Sequence, residues 1–165
     1  MRTRLVTLIV TIAGSVAVPS VFQSKGSELH VECDTLSVWE VLVEAVIQTE
    51  SEGNPNAVGL TKDAGLFQIT PIYVKDANRI VGEERYSLQD RFSPDKSHEM
   101  FSIVQAHYNP GKNIDKAIRL HNPSAGKWYG DKVKSNMAKI SRRYVETNAH
   151  ATIDKNGNVL IFKLI

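Results

Sequence analysis

The chain has 165 residues, the length of one domain around one core, and its 42% hydrophobic and 23% charged residues exclude wholesale disorder. The formal charge is +2, and Arg2 and Arg4 supply both units. Beyond them 18 basic residues face 18 acidic ones, a balance that leaves no basic surplus for nucleic acid.

The N-terminus follows secretory logic. Arg2 and Arg4 precede an uncharged, mostly apolar run from Leu5 to Val18, and Ser15-Val16-Ala17 and Val18-Pro19-Ser20 offer small residues for cleavage. Residues 1–20 are therefore read as a signal peptide. Val21 and Phe22 extend the run and keep a signal anchor open, with membrane association through residues 5–22. Residues 21–34 are polar and aperiodic and read as a linker. Cys33 is the one cysteine, so no internal disulfide framework exists.

A helix is predicted from about Ser37, where Ser37-Val38-Trp39-Glu40 has capping-box spacing, to about Glu50, before Gly53, Asn54 and Pro55. The stretch from Asn54 to Pro71 is punctuated by Gly and Asn around Gly65-Leu66-Phe67-Gln68-Ile69. Further helices are predicted over Pro71–Val81, from Ser93-Pro94 to Tyr108, after Asn113 to His121, and over Lys132–Val145. The tail reads as two strands around Asn156-Gly157, a type I′ hairpin signal. The organisation expected is a helical domain over residues 35–147 and a β-hairpin over 148–165.

Glu50 stands apart from the solvent stripe of the first helix, which is Glu40, Glu44 and Gln48 at four-residue spacing. At about 100° per residue, Glu50 falls beside Trp39, Val43 and Val46, on the inward face. It also ends the helix, where the macrodipole disfavours a negative charge. Both features favour a protonated carboxyl able to act as a general acid. Gly65 permits close backbone approach nearby, and Gln68 adds a neutral amide; a groove of this kind suits a hydroxyl-rich chain such as a glycan. The five histidines are scattered, no Cys pair or His-Glu-x-x-His occurs, and neither a metal nor a cofactor is expected.

These residues resemble the lytic transglycosylases of the soluble-transglycosylase class and, more distantly, goose-type lysozymes. Glu50-Ser51-Glu52-Gly53-Asn54-Pro55-Asn56-Ala57-Val58 resembles the first family motif, a catalytic Glu and Ser before Asn-Pro-x-Ala-Val. Ala64-Gly65-Leu66-Phe67-Gln68-Ile69-Thr70-Pro71 resembles the second, with Phe67 in the Met position. Ala117-Ile118-Arg119-Leu120-His121-Asn122 resembles the third, with His121 where the family generally carries a Tyr that holds the Glu. Tyr129 to Val133 is similar to the Tyr-x-x-x-Val that often follows. The register holds from Val38 to Met137.

The resemblance implies a mainly α, lysozyme-like (α+β) fold and an exported enzyme of the periplasm or cell envelope. It implies that Glu50 cleaves the bond between N-acetylmuramic acid and N-acetylglucosamine and closes a 1,6-anhydro ring. Ser51, Gln68 and Asn122 would position substrate, His121 would hold the carboxyl, and Phe67 and Tyr73 would line the groove. A hydrolytic muramidase is the alternative, with Asp63 as second carboxylate unless Asp63 is simply a solvated turn residue. A non-catalytic glycan-binding module, or a part of an envelope-spanning assembly, also stays open. The partner expected throughout is the peptidoglycan glycan strand.

Overall fold

A computed structural model describes residues 31–148 and 150–164. The segment read as a signal peptide and residues 21–30 of the linker lie outside the described residues. The fold is mainly helical and lysozyme-like, with a small antiparallel sheet. In chain order come β1 (Val31–Leu36), α1 (Val38–Glu50), α2 (Pro71–Val81), a 3-10 helix (Leu88–Phe92), α3 (Pro94–Tyr108), α4 (Ile114–His121), α5 (Gly126–Thr147), β2 (Ala151–Ile153) and β3 (Val159–Leu164). No helix among them is long and apolar enough to cross a membrane.

The backbone forms two compact units, one of Trp39–Arg142 and one of the flanking ends. In the larger unit the helix limits follow local chemistry. Thr70 caps α2 by accepting the Tyr73 N–H, Pro71 sits in the first turn, and Gly82 closes the helix at φ +81°. Ser93 and Pro94 start α3 in the same way, and Asn113 starts α4 by accepting the Lys116 N–H. α1 buries Leu42 and Val46 against a core that includes Phe67, Ile69, Met100, Phe101 and Val133, each at most 1% exposed. Every such side chain contributes roughly 1.5–3 kcal/mol on leaving water. α5 begins six residues before the predicted Lys132, at Gly126. Its added turns bury Tyr129 four residues before Val133, one inward-facing pair that the polar residues around it obscure in the sequence.

The smaller unit corrects two expectations. The hairpin exists, but it is part of a three-stranded sheet of order β1-β3-β2, in which β1 pairs Val31 with Leu164 and Leu36 with Val159. Residues 31–34, read as linker, are thus strand: VECDTL carries no alternation strong enough to announce itself without its partner. The turn is not type I′, because Gly157 alone in it has positive φ (+83°). Asp154 C=O accepts the Gly157 N–H and Asn158 C=O accepts the Asp154 N–H, the pattern of a type I turn closed by a glycine bulge. The Asp154 carboxylate accepts the side-chain amide of Asn158 at 2.8 Å and the N–H groups of Asn158 and Asn156 at 2.9 and 2.8 Å, which together hold it below the usual carboxylate range. The Asn158 side chain then accepts the Val38 N–H at 2.9 Å, satisfying the first amide of α1.

Candidate active site

Glu50 is the last residue of α1, and its side chain is 13% exposed. The Tyr129 hydroxyl donates to Glu50 Oε1 at 2.6 Å, a short bond typical of an O–H to a carboxylate. Nε2 of His121 lies 3.4 Å from the same oxygen. Oε2 has no hydrogen-bond partner among the described residues. α5 is set against the end of α1 by two further bonds from the same face as Tyr129. Asn136 Nδ2 donates to Thr49 Oγ1 at 2.9 Å, and Lys132 Nζ donates to Thr49 C=O at 3.3 Å, where a cation also suits the helix C-terminus. Burial pushes the Tyr129 hydroxyl well above the ordinary tyrosine range, and the neighbouring Glu50 charge pushes it further. It is therefore a donor.

His121 is fixed by the loop rather than by the carboxyl. Its Nε2 lies 2.9 Å from Phe67 C=O, and a carbonyl only accepts, so Nε2 carries the hydrogen. Nδ1 is buried without a partner among the described residues. The ring, 3% exposed, meets Phe101 and Tyr73 edge-on at 5.5 and 5.9 Å.

The loop that presents Phe67 C=O is built around two unusual requirements. Gly65 has φ +77°, and a Cβ there would lie 1.8 Å from Arg91 C=O, so only glycine fits. Arg91 is 9% exposed and spends its guanidinium on carbonyls: Nη1 donates to Lys62 at 2.6 Å and Ile69 at 3.1 Å, and Nε donates to Leu88 at 2.8 Å. Short bridges join Val58 to Ala64 and Ala64 to Ile69. Sequence reasoning passed over Arg91, because a lone Arg in LQDRF carries no sign of burial.

The family model for the transglycosylase SLT domain matches residues 31–138. The chain belongs to that family. The comparisons with curated proteins and with solved structures give no match. Membership supports peptidoglycan lytic transglycosylase activity in general and a place in the cell envelope.

Within this SLT domain the candidate residues divide. Glu50 and His121 come together, joined by Tyr129, which the sequence marks only through its Tyr-x-x-x-Val spacing. Ser51 Oγ donates to Leu66 C=O at 2.8 Å and so ties the end of α1 to the loop. Gln68, at φ +46°, turns its amide back into the loop and donates to Gly65 C=O at 2.9 Å and Ala57 C=O at 3.2 Å. Phe67 departs from the groove-lining expectation: it is fully buried and stacks on Phe101 at 4.8 Å, the natural fate of a large apolar ring with no polar tip. Tyr73 has a buried hydroxyl without a partner among the described residues, and burial, then the charge of Asp76, pushes it well above the ordinary tyrosine range. Asn122 ends α4 and lines a hollow of about 330 Å³ between α4 and α5, which Tyr129 also lines. Asp63 accepts the N–H and hydroxyl of Thr61 at 3.2 and 2.6 Å, folded over Gly59.

Proposed function

We propose that this SLT domain cleaves the β-1,4 bond between N-acetylmuramic acid and N-acetylglucosamine and leaves 1,6-anhydromuramic ends, with Glu50 as acid and then base. The observation that carries the reading is the one-sided holding of Glu50. Both of its neighbours meet Oε1, so Oε2 is the oxygen available for a proton and for the glycan. In the first step Oε2–H protonates the bridging oxygen. The bond from that oxygen to the muramic C1 breaks, and N-acetylglucosamine departs with a free 4-hydroxyl. Positive charge builds at C1 while Glu50 becomes a carboxylate, which the Tyr129 O–H stabilises. In the second step the carboxylate takes the proton of the muramic 6-hydroxyl, whose oxygen bonds to C1. Glu50 is protonated again and no water is consumed.

The state of Asp63 favours this path over hydrolysis. Most glycoside hydrolases use a second carboxylate to attack C1 or activate water. Asp63 instead serves its own turn through Thr61. Export to the periplasm or cell envelope accords with the substrate and with the apolar run after Arg2 and Arg4.

The test is digestion of purified peptidoglycan with mass analysis of the products. Anhydromuropeptides are expected from the native chain, and Glu50→Gln should lower their yield by at least about a hundredfold, the scale of a lost general acid. Reducing-end products would identify a lysozyme, and full activity in Glu50→Gln would remove the carboxyl from the mechanism. Native protein that binds glycan without cutting it would leave only a binding module.

A further inference from the structure

Trp128 is 64% exposed, the largest apolar side chain that the described residues leave open to solvent. A single exposed apolar residue is ordinary, but the setting of this one is not. Lys132 and Asn136 follow Trp128 at four-residue spacing, on one flank of α5. That flank meets the end of α1: Lys132 Nζ donates to Thr49 C=O at 3.3 Å, and Asn136 Nδ2 donates to Thr49 Oγ1 at 2.9 Å. Trp128 continues the flank by one further turn. Its neighbour Tyr129 donates to Glu50 Oε1 at 2.6 Å, and the Trp128 and Tyr129 rings meet at 6.1 Å with their planes 87° apart. A perpendicular contact covers at most one face of the indole. At least one face is therefore open, one ring away from Glu50.

We propose that Trp128 is a stacking platform for an N-acetylglucosamine ring of the strand that Glu50 cuts. The inference rests on the glycan-cleaving reading above. A β-linked pyranose holds its polar substituents at the ring edge and turns axial C–H bonds to its two faces. Those hydrogens carry a small positive charge and suit the negative face of an indole, while its N–H can donate to an acetamido oxygen. Of the two sugars that alternate along the strand, the muramic ring carries a bulky lactyl ether on O3. The N-acetylglucosamine ring keeps a free 3-hydroxyl and lies flat more easily. Continuity with Tyr129 is what ties the platform to the site: the ring that holds the catalytic carboxyl also props the indole.

The experiment has a binding arm and a kinetic arm. In the first, chitotetraose, the β-1,4 tetramer of N-acetylglucosamine, is titrated into the full chain and followed by calorimetry and tryptophan emission. The chain has two tryptophans, so the emission change should vanish in Trp128→Ala while Trp39 still reports the fold. Trp128→Ala should bind the tetramer about tenfold more weakly, the scale of one aromatic contact, and Trp128→Tyr should recover part of the loss. In the second arm, on soluble peptidoglycan strands, Trp128→Ala should raise KM by a similar factor, because a platform away from the breaking bond holds substrate and transition state alike. Equal affinity of native protein and Trp128→Ala for the tetramer would overturn the platform. A loss confined to kcat would show that the indole only props Tyr129, and would overturn it too. So would a native chain that dimerises in sedimentation and becomes monomeric on Trp128→Ala, since a second copy would then cover the indole. If the native chain cuts no peptidoglycan, the cleavage reading fails, and the platform stands on Trp128-dependent binding of the tetramer. It falls if the native chain does not bind the tetramer.

Discussion

Tyr129 gives Glu50 one hydroxyl, and Tyr129→Phe removes that oxygen while keeping the buried ring. In the proposed mechanism the hydroxyl is worth most when Glu50 has just lost its proton, because a hydrogen bond to a charged acceptor is stronger than one to a neutral acid. Tyr129→Phe should therefore lower kcat about 10- to 100-fold with little change in KM, the mark of an interaction made mainly in the transition state. Single-turnover kinetics with circular dichroism as a folding control would check it; a change in KM alone would show that the hydroxyl serves binding. At this scale the sequence is legible where helical phase and chemistry coincide. Glu50 was separable from Glu40 and Glu44 because its phase put it inward, and its side chain is indeed mostly covered. Tyr129 was invisible as a partner because its bond to Glu50 joins residues 79 apart, and spacing along one chain segment reports nothing about such a meeting. Nε2 of His121 lies 3.4 Å from Glu50 Oε1, but its anchor, Phe67 C=O, is a backbone atom that no side-chain pattern reveals.

The loop between α1 and α2 combines buried side chains with one close backbone approach, and the latter makes glycine positions in the domain unequal. Gly82 and Gly65 both have positive φ, at +81° and +77°. A Cβ on Gly82 meets nothing within 4 Å, so Gly82→Ala pays only the left-handed strain, about 1 kcal/mol. A Cβ on Gly65 runs into Arg91 C=O and must displace the segment whose guanidinium binds Lys62 and Ile69. Gly65→Ala should cost roughly 3 kcal/mol or more and lower activity as the Phe67 carbonyl shifts away from His121. Urea denaturation of the two variants side by side would show the difference; equal losses would mean that the Arg91 contact yields easily. The limits of α2, α3 and α4 were readable because capping side chains and proline act within three or four residues. β1 and Arg91 were not, since each is defined by partners far along the chain: β1 by β3 at the opposite end, Arg91 by carbonyls 22 and 29 residues away.

Over the whole domain, two buried hydroxyls lie near the end of α1 and His121, and they set a limit on alkaline stability. Tyr73 and Tyr129 are both pushed above the ordinary tyrosine value of 10.0, in each case chiefly by burial. Below pH 10 the folded and unfolded chains both keep these protons, so neither residue makes stability depend on pH. Above it the unfolded chain releases them while the folded chain still holds them. Unfolding is then favoured by about 1.4 kcal/mol per pH unit for each group. The melting temperature should fall steeply from about pH 10 upward, with tyrosinate absorbance from these two residues arriving only as the domain melts. Tyr73→Phe tests the cause directly. It removes one titrating group and a buried hydroxyl that has no partner among the described residues, so it should raise stability slightly at neutral pH and flatten the alkaline fall. If the fall keeps its native slope in Tyr73→Phe, the alkaline limit lies elsewhere in the chain. If Tyr73→Phe instead lowers activity at neutral pH without destabilising the domain, its hydroxyl works on the glycan, and the orphaned oxygen beside His121 is part of the site rather than a packing defect.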